Sequence, residues 1–148
     1  MTQRPLATIA TVFGAILILS MFFPWFAEGV RGQAGFVTIS GVSGDYLGKM
    51  TGALAVLGTA SMAWFAILRT GPGLSKSLLL VGLFAFAAST ILMVIDVARE
   101  VSTHEVPLRT GAYISGRQIG IYIALVAAAV AFLAALVSLL RPKTEYVE

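Results

Sequence analysis

Two stretches hold the side chains most capable of chemistry. His104 and Glu105 follow Ser102 and Thr103, so a base, an acid and two hydroxyls stand in a row. Neighbours on an extended segment point to opposite faces, however, and no nucleophile elbow, HExxH helix or phosphate loop accompanies them. They read as a solvated or protein-contacting loop. Asp96 and Arg99 stand three apart, a spacing that puts both on one helical face as an interfacial ion pair. The alternative is a contact for a cation or substrate at an outer mouth, shared with Glu100. With no Cys and a single His in 148 residues, disulfides, Cys-based zinc or iron–sulfur sites and bis-His haem ligation lack their ligands. The expectation is no catalytic site, no cofactor and no metal.

The elements around these residues are strongly apolar. The chain is 58% hydrophobic and 11% charged, with a mean hydropathy of +0.92, whereas a soluble domain carries about 25% charged residues. A soluble globular class is thereby excluded. The net charge of +3 comes from scattered basic residues, so nucleic acid is not an expected partner. Uncharged runs cover 5–27, 50–68, 77–95 and 118–140. Each suffices for a helix rising about 1.5 Å per residue to cross a hydrocarbon core of about 30 Å. The runs do not alternate, which excludes a transmembrane barrel. The predicted fold is an all-α membrane protein: one domain, a four-helix bundle with two outer loops that bear short strands.

Four spans put both termini on one side, together with the 69–76 connection. That side holds Arg4, Arg69, Lys76, Arg141 and Lys143; the other holds Arg31, Lys49, Arg99, Arg109 and Arg117, an even balance. The tight Gly71-Pro72-Gly73 turn and short basic tails, including the tail 141–148, place the termini in the cytoplasm of a multi-pass plasma-membrane protein. The long stretch into Phe22, Phe23, Pro24, Trp25 and Phe26 lacks a small-x-small cleavage site and reads as a retained helix rather than a signal peptide. Trp25, Phe26, Tyr46, Trp64 and Tyr122 are expected to form belts at the two membrane interfaces.

The outer loops, 28–49 and 99–117, are rich in glycine around β-prone runs. Phe36, Ile39, Tyr113 and Ile114 are the candidate contact residues there. Isolated hairpins are marginal in water, so the strands are expected to pair across the loops or with a neighbouring protein. Ile39-Ser40-Gly41 with Tyr46, and Ile114-Ser115-Gly116 with Tyr122, each precede an Ala-rich span and resemble a twofold repeat. Small residues set the expected helix packing: Ala55, Thr59 and Ala63 in the second span, and Ala127, Ala131 and Ala135 in the fourth. Phe84, Phe86 and Phe132 are large enough to face either lipid or a partner helix.

The Phe22-Phe23-Pro24-Trp25-Phe26 end of the first span, the glycine-rich loop after it, and the last span opening Gly120-Ile121-Tyr122-Ile123-Ala124-Leu125 and closing at Leu140-Arg141 carry a likeness. Together they resemble small four-span bacterial membrane proteins of the kind common in actinobacteria. The topology is also similar to that of claudin-type tetraspans. This likeness is architectural only, because the Cys pair and loop Trp of claudins are missing here. The expected function is a non-enzymatic membrane subunit, an accessory component that meets other membrane proteins or copies of itself and presents its outer loops for contact. Its partners would be the lipid bilayer and those proteins. The alternative is a component of a homo-oligomeric channel or transporter.

Overall fold

Residues that disappear from the surface recur at alternating steps of three and four in every helix. They are Ala7, Ala10, Gly14 and Leu17 in α1 (Gln3–Ser20), and Gly48, Thr51, Ala55, Gly58, Met62 and Phe65 in α2 (Tyr46–Ile67). They continue as Ser75, Leu79, Gly82, Phe86, Ser89, Met93 and Asp96 in α3 (Pro72–Arg99), and as Ile121, Ala124, Ala128, Ala131, Ala135 and Ser138 in α4 (Ile119–Leu140). A period of 3.5 is the seam of a left-handed bundle with knobs-into-holes packing. The computed structural model describes residues 3–30, 37–43, 46–68, 72–99, 107–108 and 111–141.

All four helices are long and apolar enough to cross a membrane, and they form a four-helix bundle. Each packs on two neighbours in the ring order α1-α2-α3-α4, and the α2–α3 and α1–α4 interfaces are the more extensive. Among the described residues four short strands lie between them: β1 (Pro24–Val30), β2 (Val37–Ser40), β3 (Pro107–Leu108) and β4 (Gly111–Arg117). Their order is β2-β1-β4-β3, with antiparallel pairing throughout. The centre of the sheet joins the two connections of the chain: Phe26 lies opposite Arg117, and Val30 opposite Tyr113. Element order repeats as helix, two strands, helix. The ring of helices keeps its larger and smaller interfaces when α1 is exchanged for α3 and α2 for α4. The sheet does not follow that exchange, because β1 pairs with β4 but β2 does not pair with β3.

Three of the spans are bounded differently from the sequence reading. The first helix stops at Ser20, not at 27. The N–H groups of Met21, Phe22 and Phe23 turn back to the carbonyls of Ile18, Leu19 and Ser20, a tightening by i→i+3 bonds. Pro24 then has no N–H to continue the helix, and the apolar run proceeds as a strand. The third helix is longer than 77–95, since Pro72 suits a first helical turn and the apolar stripe carries on through Asp96. The second helix starts at Tyr46 and takes in Lys49, which is exposed.

Two core clusters run along the bundle. The half near the termini holds Ala7, Ala10, Met62, Phe65, Leu79, Phe86, Ala131, Ala134 and Ala135. The half near the sheet holds Leu17, Ala55, Met93, Ile121, Ala124 and Ala128, and continues past the helices into Met21 and Trp25. At the far end Ser138 Oγ donates to the Gln3 carbonyl at 3.0 Å and Gln3 Nε2 donates to the Arg141 carbonyl at 2.7 Å, tying the start of α1 to the end of α4.

Candidate functional site

The first turns of α2 and α4 carry Gly48 and Gly120, and each receives a backbone carbonyl from the connecting segments. A Cβ at Gly48 would collide with the Gly41 carbonyl, and one at Gly120 would stand 2.5 Å from the Pro24 carbonyl. Trp25 fills the space between these contacts. It is 1% exposed, and a Cβ at Gly41 would come within 2.6 Å of its ring. Its indole Nε1–H donates to the Ser20 carbonyl at 2.9 Å, and its own carbonyl accepts the Gln118 N–H at 2.8 Å. The Met21 carbonyl accepts the Val42 N–H at 3.1 Å. Strand β1 is thereby attached to α1 and α4 through Trp25, and the turn after β2 that carries Gly41 is seated on α2 at Gly48.

This corrects the assignment of Trp25 to an interfacial belt. A belt tryptophan keeps its ring at the headgroup level; here the ring is inside, because chain reversal after Ser20 turns it back onto the bundle. Phe26 is half-buried against the same cluster. Tyr46, Trp64 and Tyr122 are exposed, with Tyr46 and Tyr122 at the sheet end and Trp64 towards the other.

The packing residues differ in burial. Ala55, Ala127, Ala131 and Ala135 are buried; Ala63 and Thr59 are half-buried. Phe86 is 0% exposed and sits over two glycines: a Cβ at Gly14 would lie 2.8 Å from its ring, and one at Gly58 3.0 Å. Phe84 points outward and Phe132 is half-buried. Thr59 Oγ1 faces Gly14 so closely that a Gly14 Cα–H points at it, a weak contact rather than a hydrogen bond. Among the hydroxyls, Thr90 donates to the Phe86 carbonyl and Ser20 to that of Leu17, the usual recourse inside a helix. Thr59 Oγ1 and Ser89 Oγ are buried without a hydrogen-bond partner.

That orphaned hydroxyl yields an expectation. An unbonded buried hydroxyl costs about 1–3 kcal/mol by mutational measures, and Ala is nearly isosteric with Ser. Ser89→Ala is expected to leave stability unchanged or to raise it by up to about 1 kcal/mol, read from the unfolding midpoint in mild detergent. A clear loss of stability would show that Ser89 has a polar partner in the membrane.

Asp96 lies on the buried stripe of α3 at its sheet end, one turn beyond Met93, and is engaged in the fold rather than free. The side chains of Arg99, Ile39, Tyr113 and Ile114 fall outside the described residues, as do Phe36 and the Ser102-Thr103-His104-Glu105 stretch. The backbone nevertheless places Ile39 in β2 and Tyr113 and Ile114 in β4. Among the described residues no three His, Cys, Asp or Glu side chains come together. The arrangement is thus one of attachment: the best-built polar and aromatic feature anchors a sheet to a bundle. No protein-family model matches the chain, and no curated protein matches it significantly.

Proposed function

We propose that the protein is a small integral membrane subunit without enzymatic activity, which packs against other membrane proteins or copies of itself and presents its strands outside the membrane for protein contact. The observation that carries this reading is the Trp25 anchorage. A sheet held by a buried indole and glycine contacts from two helices is a preorganised surface, and preorganisation lowers the ordering cost of binding. Both termini lie in the cytoplasm of a plasma-membrane protein, and the sheet lies on the opposite side.

The channel reading draws less support. Large side chains fill the interior of one bundle, among them Phe86, Leu17, Met62 and Met93. A pathway between copies would be walled by outer faces carrying Val12, Leu19, Val56, Leu57, Phe84, Ile91, Val126 and Leu133, all apolar. Such walls suit lipid or a partner helix better than an aqueous path.

The test is the mass of the particle in native nanodiscs, with co-purifying proteins identified. A hetero-complex or a defined homo-oligomer that does not conduct supports the subunit reading; a lone monomer overturns it, and conduction by a homo-oligomer replaces it with the channel reading. Because the chain has no Cys, a Thr38→Cys variant offers a single thiol on an exposed β2 residue. Labelling of intact cells by an impermeant maleimide is expected, and protection until lysis would reverse the proposed orientation.

A further inference from the structure

The first helix is too short for its task. Its charged start at Arg4 leaves the sixteen residues from Pro5 to Ser20 as apolar helix, about 24 Å at about 1.5 Å per residue, against a hydrocarbon core of about 30 Å. By the same measure α4, whose 22 residues carry no charge, reaches about 33 Å. The shortfall falls at the sheet end, where the chain continues through Met21, Phe22, Phe23 and Pro24 without a charge.

Irregular backbone is tolerated at membrane depth only where its polar groups are satisfied inside the protein. This segment meets that condition for its donors. The Met21, Phe22 and Phe23 N–H groups are bonded at 3.1 to 3.2 Å, and Pro24 has none to satisfy. The Met21 carbonyl takes Val42 N–H, and Trp25 places its indole N–H inside against Ser20. The large side chains that remain outside are apolar: Phe22 is 69% exposed, Phe23 53% and Val42 45%. In water this would be a costly cluster of large side chains next to the bundle.

We infer that the non-helical turn at 21–24 completes the first membrane crossing, with Phe22, Phe23 and Val42 in contact with lipid at the boundary between acyl chains and headgroups. The base of the sheet then lies at membrane depth rather than above it. The inference rests on the span lengths and not on the proposed partner role, so it stands or falls separately.

The reporter is Phe22→Trp in a Trp64→Phe background, compared with Trp64→Phe alone in which only the buried Trp25 emits. Proteoliposomes are made with phosphatidylcholine brominated just below the headgroup, or without bromine and exposed to aqueous iodide. Bromolipid is expected to quench the added emission several-fold more than iodide does. Stronger quenching by iodide would put the turn in water, and quenching by neither would show that protein covers it; either result overturns the inference. Val42→Trp reads the same surface should the substitution at Phe22 fail to insert.

Discussion

Phe86→Ala is expected to be among the most destabilising single changes in the bundle. The ring is fully buried and rests on Gly14 of α1 and Gly58 of α2, so its removal opens a space that three helices line. In soluble cores Phe→Ala costs about 3–5 kcal/mol. Part of that is transfer out of water, which does not apply where lipid surrounds the unpacked helices, while the lost dispersion contacts remain. A loss of about 3 kcal/mol, at the low end of that range, is the expectation, measured as a shift of the unfolding midpoint in detergent titration. The reciprocal change, Gly14→Val, forces a branched side chain into Phe86 and Thr59 and is expected to cost about 1–3 kcal/mol or more. Combining Gly14→Ala with Phe86→Leu should recover part of the loss, because the two sites share one contact. Additive losses would show that Thr59 rather than Phe86 limits what Gly14 can accept.

Trp25→Ala should act elsewhere. It removes the largest buried side chain at the sheet end, leaves the Ser20 carbonyl without the indole donor and opens the seat beside Gly41 and Gly120. By the usual cost of Trp→Ala the local loss is about 3–5 kcal/mol. The expected signature is regional: amide exchange should accelerate across β1 and β4, while α2 and α3 keep their protection. Trp25→Phe keeps a ring but not the hydrogen bond and should cost nearer 1 kcal/mol. Uniform acceleration throughout the chain would mean that sheet and bundle unfold together and that Trp25 is no local anchor.

The residues around Trp25 are those of an interfacial belt, although the side chain is buried. Pro24, Trp25, Phe26 and Ala27 prolong an apolar run with no charge to mark its end. Nothing local separates a belt tryptophan from one folded back onto a bundle, because both follow a proline near a span terminus. The reversal depends on Gly41 and Gly48 and on Gly120, far along the chain from both, and these matter only through what approaches them. Glycine-rich connections were visible; which glycine receives which carbonyl was not. The same limit applies to the phenylalanines. Phe84 and Phe86 differ by two positions and not at all in hydropathy, yet one is 68% exposed and the other is 0% exposed.

By itself the sequence determined the number of helices long and apolar enough to cross a membrane, because hydrocarbon accepts only backbone whose hydrogen bonds are made locally. The uncharged runs record that demand directly. Of the small residues that the sequence marks for close helix approach, Ala55, Ala127, Ala131 and Ala135 are buried and Thr59 and Ala63 half-buried. Only the tertiary structure decided which large side chains enter the core, where the first helix stops, and that β1 joins the two connections in one sheet. A membrane helix is apolar on every side, so burial there is selected by shape across helices, and shape complementarity is a property of pairs that no single stretch of chain carries.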